Sequence, residues 1–275
     1  MTTTAPLLAL AIMSLAPAPD AGARAVQRGR KPCEVRYIAN AGLLFTSGTT
    51  RLLIDALVRD GIPPYATPDA DERRLLEAAQ PPFAAVNAVL VTHWHEDHFS
   101  AEAVAAHLVR NPRAVLVSSH EVTERVERAA VALSDRLRPV TPPAGRVEAI
   151  DIAGLRVHVL RLRHNPARRM PAQHVGFLVE GCRTLLHVGD ADPEPSNFTL
   201  LETLPRVDVA ALPFWYMSGA RARGLVSGSI RPSRVLAVHV PPQDADAVAG
   251  QLTGALPPTV LLRAPGQIVP LDVRP

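Results

Sequence analysis

Val89-Leu90-Val91-Thr92-His93-Trp94-His95-Glu96-Asp97-His98 is the stretch on which the reading of this chain turns. An apolar run of strand-forming residues enters directly into three imidazoles and a carboxylate within six residues, His93, His95, Asp97 and His98. Neutral imidazole nitrogen and carboxylate oxygen are the usual protein donors to zinc and similar borderline ions. That density at a strand end makes a metal site the first hypothesis. In an extended turn His93 and His95 project to the same side and can grip one ion, while Asp97 and His98 can face a second. A polar loop with internally satisfied histidines is the alternative, and the concentration of donors directly after the strand weighs against it.

Upstream, residues 34–38, 43–46 and 51–54 are short β-prone runs separated by Asn40-Ala41-Gly42 and Ser47-Gly48, the pattern of an antiparallel meander. A loop rich in Pro and Asp (62–69) and a helix over 71–80 follow. The pattern then alternates: strand 88–92, helix 101–110, strand 114–118, and an amphipathic helix over 121–133 whose Val122, Val126, Ala129 and Leu133 share a face. The second half repeats the plan. Strands at 146–150, 155–162, 175–180 and 184–188 precede a short helix at 198–204, strands at 207–212 and 234–239, a helix at 244–256 and a strand at 259–262. Two sheets in contact, each covered outside by helices, would bury such strands on both faces.

Taken in order, these motifs resemble the metallo-β-lactamase superfamily from about Val35 to the C-terminus. An apolar strand ends in Asp55 (Leu52-Leu53-Ile54-Asp55), the H-x-H-x-D-H segment supplies His93, His95, Asp97 and His98, and a third histidine ends a long strand at His164. Gly189-Asp190 follows Leu185-Leu186-His187-Val188, and His239 closes Val235-Leu236-Ala237-Val238. The resemblance implies a four-layer αββα sandwich, an α/β architecture with two metal ions at the sheet edges. It implies that His93, His95 and His164 bind one ion, that Asp97, His98 and His239 bind the other, that Asp190 bridges them, and that Asp55 braces the site. Asp97, Asp190 and His239 are the residues closest to the chemistry on this reading. An acidic residue at the end of an apolar strand, as at Asp190, is costly to bury unless it meets a cation, which agrees with the implied role. His158, His174 and His187 lie in the same window as His164. His164 opens a loop where a ligand can project, His174 is the second choice and otherwise a supporting residue, and His158 and His187 lie within strands. His107 and His120, on or beside helices, are expected in surface or capping roles.

Two divalent ions about 3.5–4 Å apart lower the pKa of a shared water from about 15.7 towards about 7, so hydroxide becomes available near neutral pH and the same ions polarise the substrate. The expectation is a hydrolase acting on an ester, lactone or phosphodiester-type small molecule. The resemblance implies that true β-lactamases of this fold lack a carboxylate at the place of Asp190, so that activity is not expected. Zinc is the first expectation for the metal, with manganese or iron compatible with the same donors. Trp94, inside the metal motif, and Phe214-Trp215-Tyr216, after a strand, are candidate walls of the substrate pocket, with core packing as the alternative for the latter. Arg168, Arg169, Arg221 and Arg223 are candidates for neutralising an anionic substrate. The rival classes are an iron-dependent redox enzyme of the same fold and a non-catalytic metal-binding scaffold. Metal content separates the first, and the complete donor set argues against the second.

The 275 residues, 47% apolar, suffice for one large core, read here as a domain over 33–275. With 29 Lys and Arg against 26 Asp and Glu and no polybasic run, nucleic acid is not the expected partner. Residues 1–25 have the layout of a signal peptide: an apolar run from Leu7 to Ala16, too short to span a bilayer, then Ala23-Arg24-Ala25 as a cleavage candidate. No Lys or Arg precedes that run. A periplasmic or secreted protein without a membrane span in its mature form is the expectation. Cys33 and Cys182 could pair in an oxidising compartment, yet their separation gives no geometric warrant, and two unpaired thiols stay open.

Overall fold

Alternation along each strand sends one set of side chains between two sheets and the other set outward. In the computed structural model, which describes residues 1, 31–165, 171–252 and 257–272, the described strands form two seven-stranded sheets. The first is ordered β14 (Ile268–Pro270), β1 (Cys33–Tyr37), β2 (Leu43–Ser47), β3 (Thr50–Ile54), β4 (Ala88–Leu90), β5 (Val115–Ser118) and β6 (Leu137–Pro139). The second is ordered β13 (Thr259–Leu261), β12 (Arg234–Val238), β11 (Val209–Pro213), β10 (Thr184–His187), β9 (Val175–Glu180), β8 (Leu155–Arg161) and β7 (Val147–Ile152). Each sheet is antiparallel through its early strands and turns parallel, at the β3–β4 pair in one and the β10–β11 pair in the other.

Leu43, Phe45, Leu52 and Ile54 of the first sheet meet Val157, Val159, Phe177 and Val179 of the second in one buried layer. The alternate residues Leu44, Leu53, Val89 and Leu116 face the opposite way, against Leu76 of α1 (Ala70–Glu77), Leu108 of α2 (Ala101–Arg110) and Val126 of α3 (His120–Ala129). On the far side, Leu178, Leu186 and Leu212 pack with Leu225 of α4 (Gly219–Leu225), while Ala237 packs with Val248 of α5 (Ala245–Leu252). The expected four layers, helix, sheet, sheet, helix, are therefore present. Asp69, Ser100 and Ser119 cap α1, α2 and α3 by accepting backbone N–H bonds of the first turn.

Several expectations are corrected. The short helix read at 198–204 is a 3-10 helix over Thr199–Thr203, preceded by another at Pro195–Asn197. Residues 219–225, to which the sequence assigned no helix, form α4, where Ala and Arg favour helix strongly enough to outweigh Gly219 and Gly224. Strands β6 and β14 are three residues long and end in proline, which leaves too little alternation to read. His107 is not a surface residue: it is fully buried on α2, with Nδ1 2.6 Å from the Leu76 carbonyl. The leader read at 1–25 lies, beyond Met1, outside the described residues, and Pro32–Pro275 form one compact unit. Among the described residues no helix is long and apolar enough to cross a membrane.

Cys33 and Cys182, left open by the sequence, are disulfide-bonded. The bond joins β1 in one sheet to the β9–β10 turn in the other, with Cα atoms 5.8 Å apart. Closing a loop across 149 residues removes roughly 5 kcal/mol of unfolded-chain entropy in the chain-entropy account. Cys182→Ser is expected to lower unfolding stability by about 2–5 kcal/mol, read from the denaturant midpoint under oxidising conditions. An unchanged midpoint would show that the cross-link contributes nothing.

Candidate metal centre

The donors stand where strands end. β3 runs into Asp55, β4 leads into the 93–98 loop, β10 leads into Gly189-Asp190, and β12 ends just before His239. His164 follows β8 and forms an isolated bridge with Ala191, beside Asp190. Loops beyond the carboxyl ends of parallel strands are the usual place for a site in open α/β sheets, because there the backbone is released from the ladder. The structure gathers the seven sequence-predicted donors into two adjacent groups, His93, His95 and His164 in one and Asp97, His98, Asp190 and His239 in the other.

Within the first group His93 Nε2 lies 3.0 Å from His95 Nδ1, and the His164 ring centroid is 4.8 Å from both the other rings. Within the second, His98 Nε2 and His239 Nε2 are 3.1 Å apart, and Asp190 Oδ1 lies 3.0 and 3.1 Å from them. Asp97 Oδ2 is 3.1 Å from His239 Nε2 and 3.7 Å from His98 Nε2. The other oxygen of Asp190, Oδ2, lies 3.9 Å from His164 Nε2, so this carboxylate spans the two groups. Donors sharing one ion at ~2.0–2.1 Å in a tetrahedron sit about 3.3 Å from one another. The observed separations bracket that value, and the chemistry of the set, imidazoles with carboxylates, suits borderline divalent cations.

Burial sets the charge state. His98 is depressed by burial, but Asp190 and Asp97 beside it outweigh that and hold it well above the ordinary histidine value. His239 is raised for the same reason, chiefly by Asp190. Burial pushes Asp190 up, yet His239 and His98 hold it well below the usual carboxylate range, and Asp97 behaves likewise. His93 is pushed well below its ordinary value by burial and by the neighbouring His98 and His174.

A supporting layer fixes the donors. Asp55, fully buried at φ +48°, accepts from the Thr92 N–H (2.8 Å) and hydroxyl (2.7 Å) and contacts His98 Nδ1 (2.9 Å), leaving Nε2 of His98 to face the cluster. His164 Nδ1 is engaged by the Asn165 carbonyl at 2.7 Å, which turns its Nε2 towards Asp190. His174, the alternative third donor, accepts from the Asp190 N–H through Nε2 at 3.1 Å and so stands behind the cluster. His187 Nδ1 accepts from Gly189 N–H while Nε2 faces the Ala41 carbonyl, and His158 pairs with Glu180 away from the site.

Around the donors stand aromatic rings. Trp94 lies edge-on to His95 at 4.9 Å, with the Arg125 guanidinium 4.3 Å from the centroid of its ring, and Trp215 lies 5.0 Å from His239. Phe214 packs towards α5, and Tyr216 is fully buried in the core with its hydroxyl donating to the Ala191 carbonyl, so neither forms a wall in the manner expected. Two residues escaped the sequence reading. Tyr65 sits 4.1 Å from His239, and Asn40 donates to Asp97. Tyr65 lies in the Pro- and Asp-rich loop, where no periodicity signals a contact, whereas Asn40 carried only the signal of a turn.

Fold and donor set together define a metallo-β-lactamase-type sandwich. The sequence matches the beta-lactamase superfamily domain over residues 50–256, and the chain belongs to that family. It is 24% identical over 208 residues to a UPF0173 metal-dependent hydrolase of Pyrobaculum islandicum, covering 75% of this chain and 83% of that protein. It is 28% identical over 208 residues to a UPF0173 protein of Pyrococcus furiosus, covering 75% and 82%. Among solved structures it resembles a possible metal-dependent hydrolase from Veillonella parvula, with TM-score 0.61 and 16% identity over 87% of this chain and 99% of that one. It also resembles CmlA, a diiron beta-hydroxylase from Streptomyces venezuelae, with TM-score 0.56 and 14% identity over 88% of this chain. This chain spans 54% of that hydroxylase, and at such identities both likenesses are of fold alone.

Proposed function

We propose that this chain is a metal-dependent hydrolase whose site takes two divalent ions, His93, His95 and His164 holding one, Asp97, His98 and His239 the other, and Asp190 both. The observation that carries the reading is the Asp190 carboxylate, whose two oxygens address the two donor groups separately. When bound, such a pair supplies a hydroxide source near neutral pH and a Lewis acid for the substrate oxygen. The chain's own contribution is to hold the donors in place before substrate arrives. Asp55 orients His98, the Asn165 carbonyl orients His164, and the surrounding burial excludes competing water. Tyr65 and Trp215 flank His239 and offer apolar faces to a small-molecule ester, lactone or phosphodiester-type substrate, whereas Trp94, beside His95, carries the Arg125 guanidinium over its ring.

Arg221 and Arg223, considered as anion partners, are engaged elsewhere, the first with Glu194 at 2.7 Å and the second with the Met217 carbonyl at 3.0 Å. Arg168 and Arg169 lie outside the described residues. Zinc is the first choice of metal, and manganese or iron would suit the same donors. Export to an oxidising compartment is proposed with it, supported by the inter-sheet disulfide.

The test is metal analysis of the purified protein, followed by a chromogenic panel of lactones, esters and phosphodiesters for the wild type and His95→Ala. Two equivalents of metal and turnover of one substrate class are expected. His95→Ala is expected to lower that turnover by on the order of 10³-fold, the value of several kcal/mol of lost transition-state stabilisation. Activity that survives the substitution would place the chemistry elsewhere, and a redox-active iron preparation that turns over no ester would favour an oxygen-using enzyme.

A further inference from the structure

Between β1 and β2 the chain turns through Ala39, Asn40, Ala41 and Gly42. Ile38 N–H donates to the Gly42 carbonyl and Gly42 N–H to the Ala39 carbonyl, closing the turn on itself. A Cβ on Gly42 would stand 2.9 Å from both the Ala39 and the Asp55 carbonyl oxygens, so the turn packs directly on the backbone of Asp55. That packing brings Asn40 into the site. Asn40 is 1% exposed and has φ +49°, a left-handed conformation that asparagine tolerates better than most residues.

Three of its polar contacts go to one half of the candidate centre, besides a main-chain bond to the Tyr37 hydroxyl. Nδ2 donates to the main-chain carbonyl of Asp97 at 3.0 Å and to Asp97 Oδ2 at 3.3 Å. The Asn40 carbonyl accepts from His239 N–H at 3.0 Å. Asp97 comes from the loop after β4 in the first sheet and His239 from the end of β12 in the second, so a single residue ties the two together. The amide cannot be reversed without setting its oxygen against two acceptors, which fixes its orientation. In that orientation Oδ1 is buried and, among the described residues, has no hydrogen-bond partner.

We propose that Asn40 is a positioning residue for the second ion: it sets Asp97 and His239 at the spacing that lets them act as donors together and leaves the His93, His95 and His164 group untouched. The inference rests on the two-ion reading above and assigns a separate determinant to one of the two sites.

Asn40→Gly removes the amide while accepting the left-handed φ without strain. Asn40→Asp keeps the shape but sets a carboxylate against Asp97 Oδ2. Stepwise Co²⁺ binding to the metal-stripped full chain, followed by its visible absorption spectrum, reads the two sites separately, and thermal unfolding of the metal-stripped forms controls for folding. The wild type is expected to take two equivalents. Both variants are expected to keep the first equivalent at wild-type affinity and to bind the second ~10–100-fold more weakly, the usual cost of removing a hydrogen-bond partner of a ligand. A second equivalent bound at wild-type affinity in either variant, or an equal loss at both sites, overturns the assignment and leaves the two-ion reading standing. A wild type that takes fewer than two equivalents overturns both.

Discussion

Asp190→Asn is expected to reduce metal content from two equivalents to at most one and to lower hydrolytic turnover by on the order of 10³-fold, the equivalent of about 4 kcal/mol of transition-state stabilisation. The substitution keeps the shape and removes the charge, so the effect isolates the carboxylate. Oδ1 stands 3.0 Å from His98 Nε2 and 3.1 Å from His239 Nε2, while Oδ2 faces His164 Nε2 at 3.9 Å, and an amide offers only one acceptor to those three rings. Without cations the same carboxylate is the largest influence raising His98 and His239. Breaking a buried ion pair by removing one partner typically costs 3–5 kcal/mol, roughly the range expected for the metal-stripped variant by denaturant titration. Elemental analysis and the chromogenic assay check the first claim. Two retained equivalents with full turnover would remove Asp190 from the centre and with it the bridging role.

The parts of this molecule that were legible in the sequence are those where a local pattern carries its own physical cause. A β-branched run that ends in His-x-His-x-Asp-His has no inexpensive structural use, so the 93–98 loop announced itself. Asp190 was legible because it closes an apolar strand, where a carboxylate needs a partner, while Asp55, His164 and His239 came from the resemblance of the ordered motifs. The two-sheet plan followed from strands apolar on both faces. Long-range pairing was not legible, since nothing within a segment encodes it. The cross-link between Cys33 and Cys182 spans 149 residues, and the Asn40–Asp97 bond spans 57. Tyr65 reaches His239 from a loop whose prolines and aspartates read only as irregular chain. Tyr216 shows the converse: three adjacent aromatics suggested a wall, but the side-chain directions of a 3-10 turn send the third into the core against Phe198.

Gly189→Ala is expected to destabilise the protein by about 2–5 kcal/mol, combining the left-handed backbone cost of a residue with a Cβ and the cost of overpacking a filled site. Gly189 adopts φ +54°, and a methyl group there would stand 2.5 Å from Thr92 Oγ1, 2.7 Å from Thr92 Cβ and 2.8 Å from His174 Nε2. None of these atoms can yield cheaply. The Thr92 hydroxyl donates to Asp55 at 2.7 Å and lies 2.9 Å from His93 Nδ1, while His174 Nε2 accepts the N–H of Asp190. Displacing Thr92 therefore disturbs Asp55, which orients His98, and His93 in the other donor group. Displacing His174 disturbs Asp190 between them. The three atoms nearest the methyl group belong to no donor in the cluster, yet the substitution should weaken both metal sites together, in contrast to the selective loss expected at Asn40. Denaturant midpoints of the metal-stripped protein and stepwise Co²⁺ titration measure the two effects. A variant with wild-type midpoint and wild-type binding would mean that the turn at Gly189 can relax away from Thr92, and that the close contact behind the cluster is not what fixes the geometry of the donors.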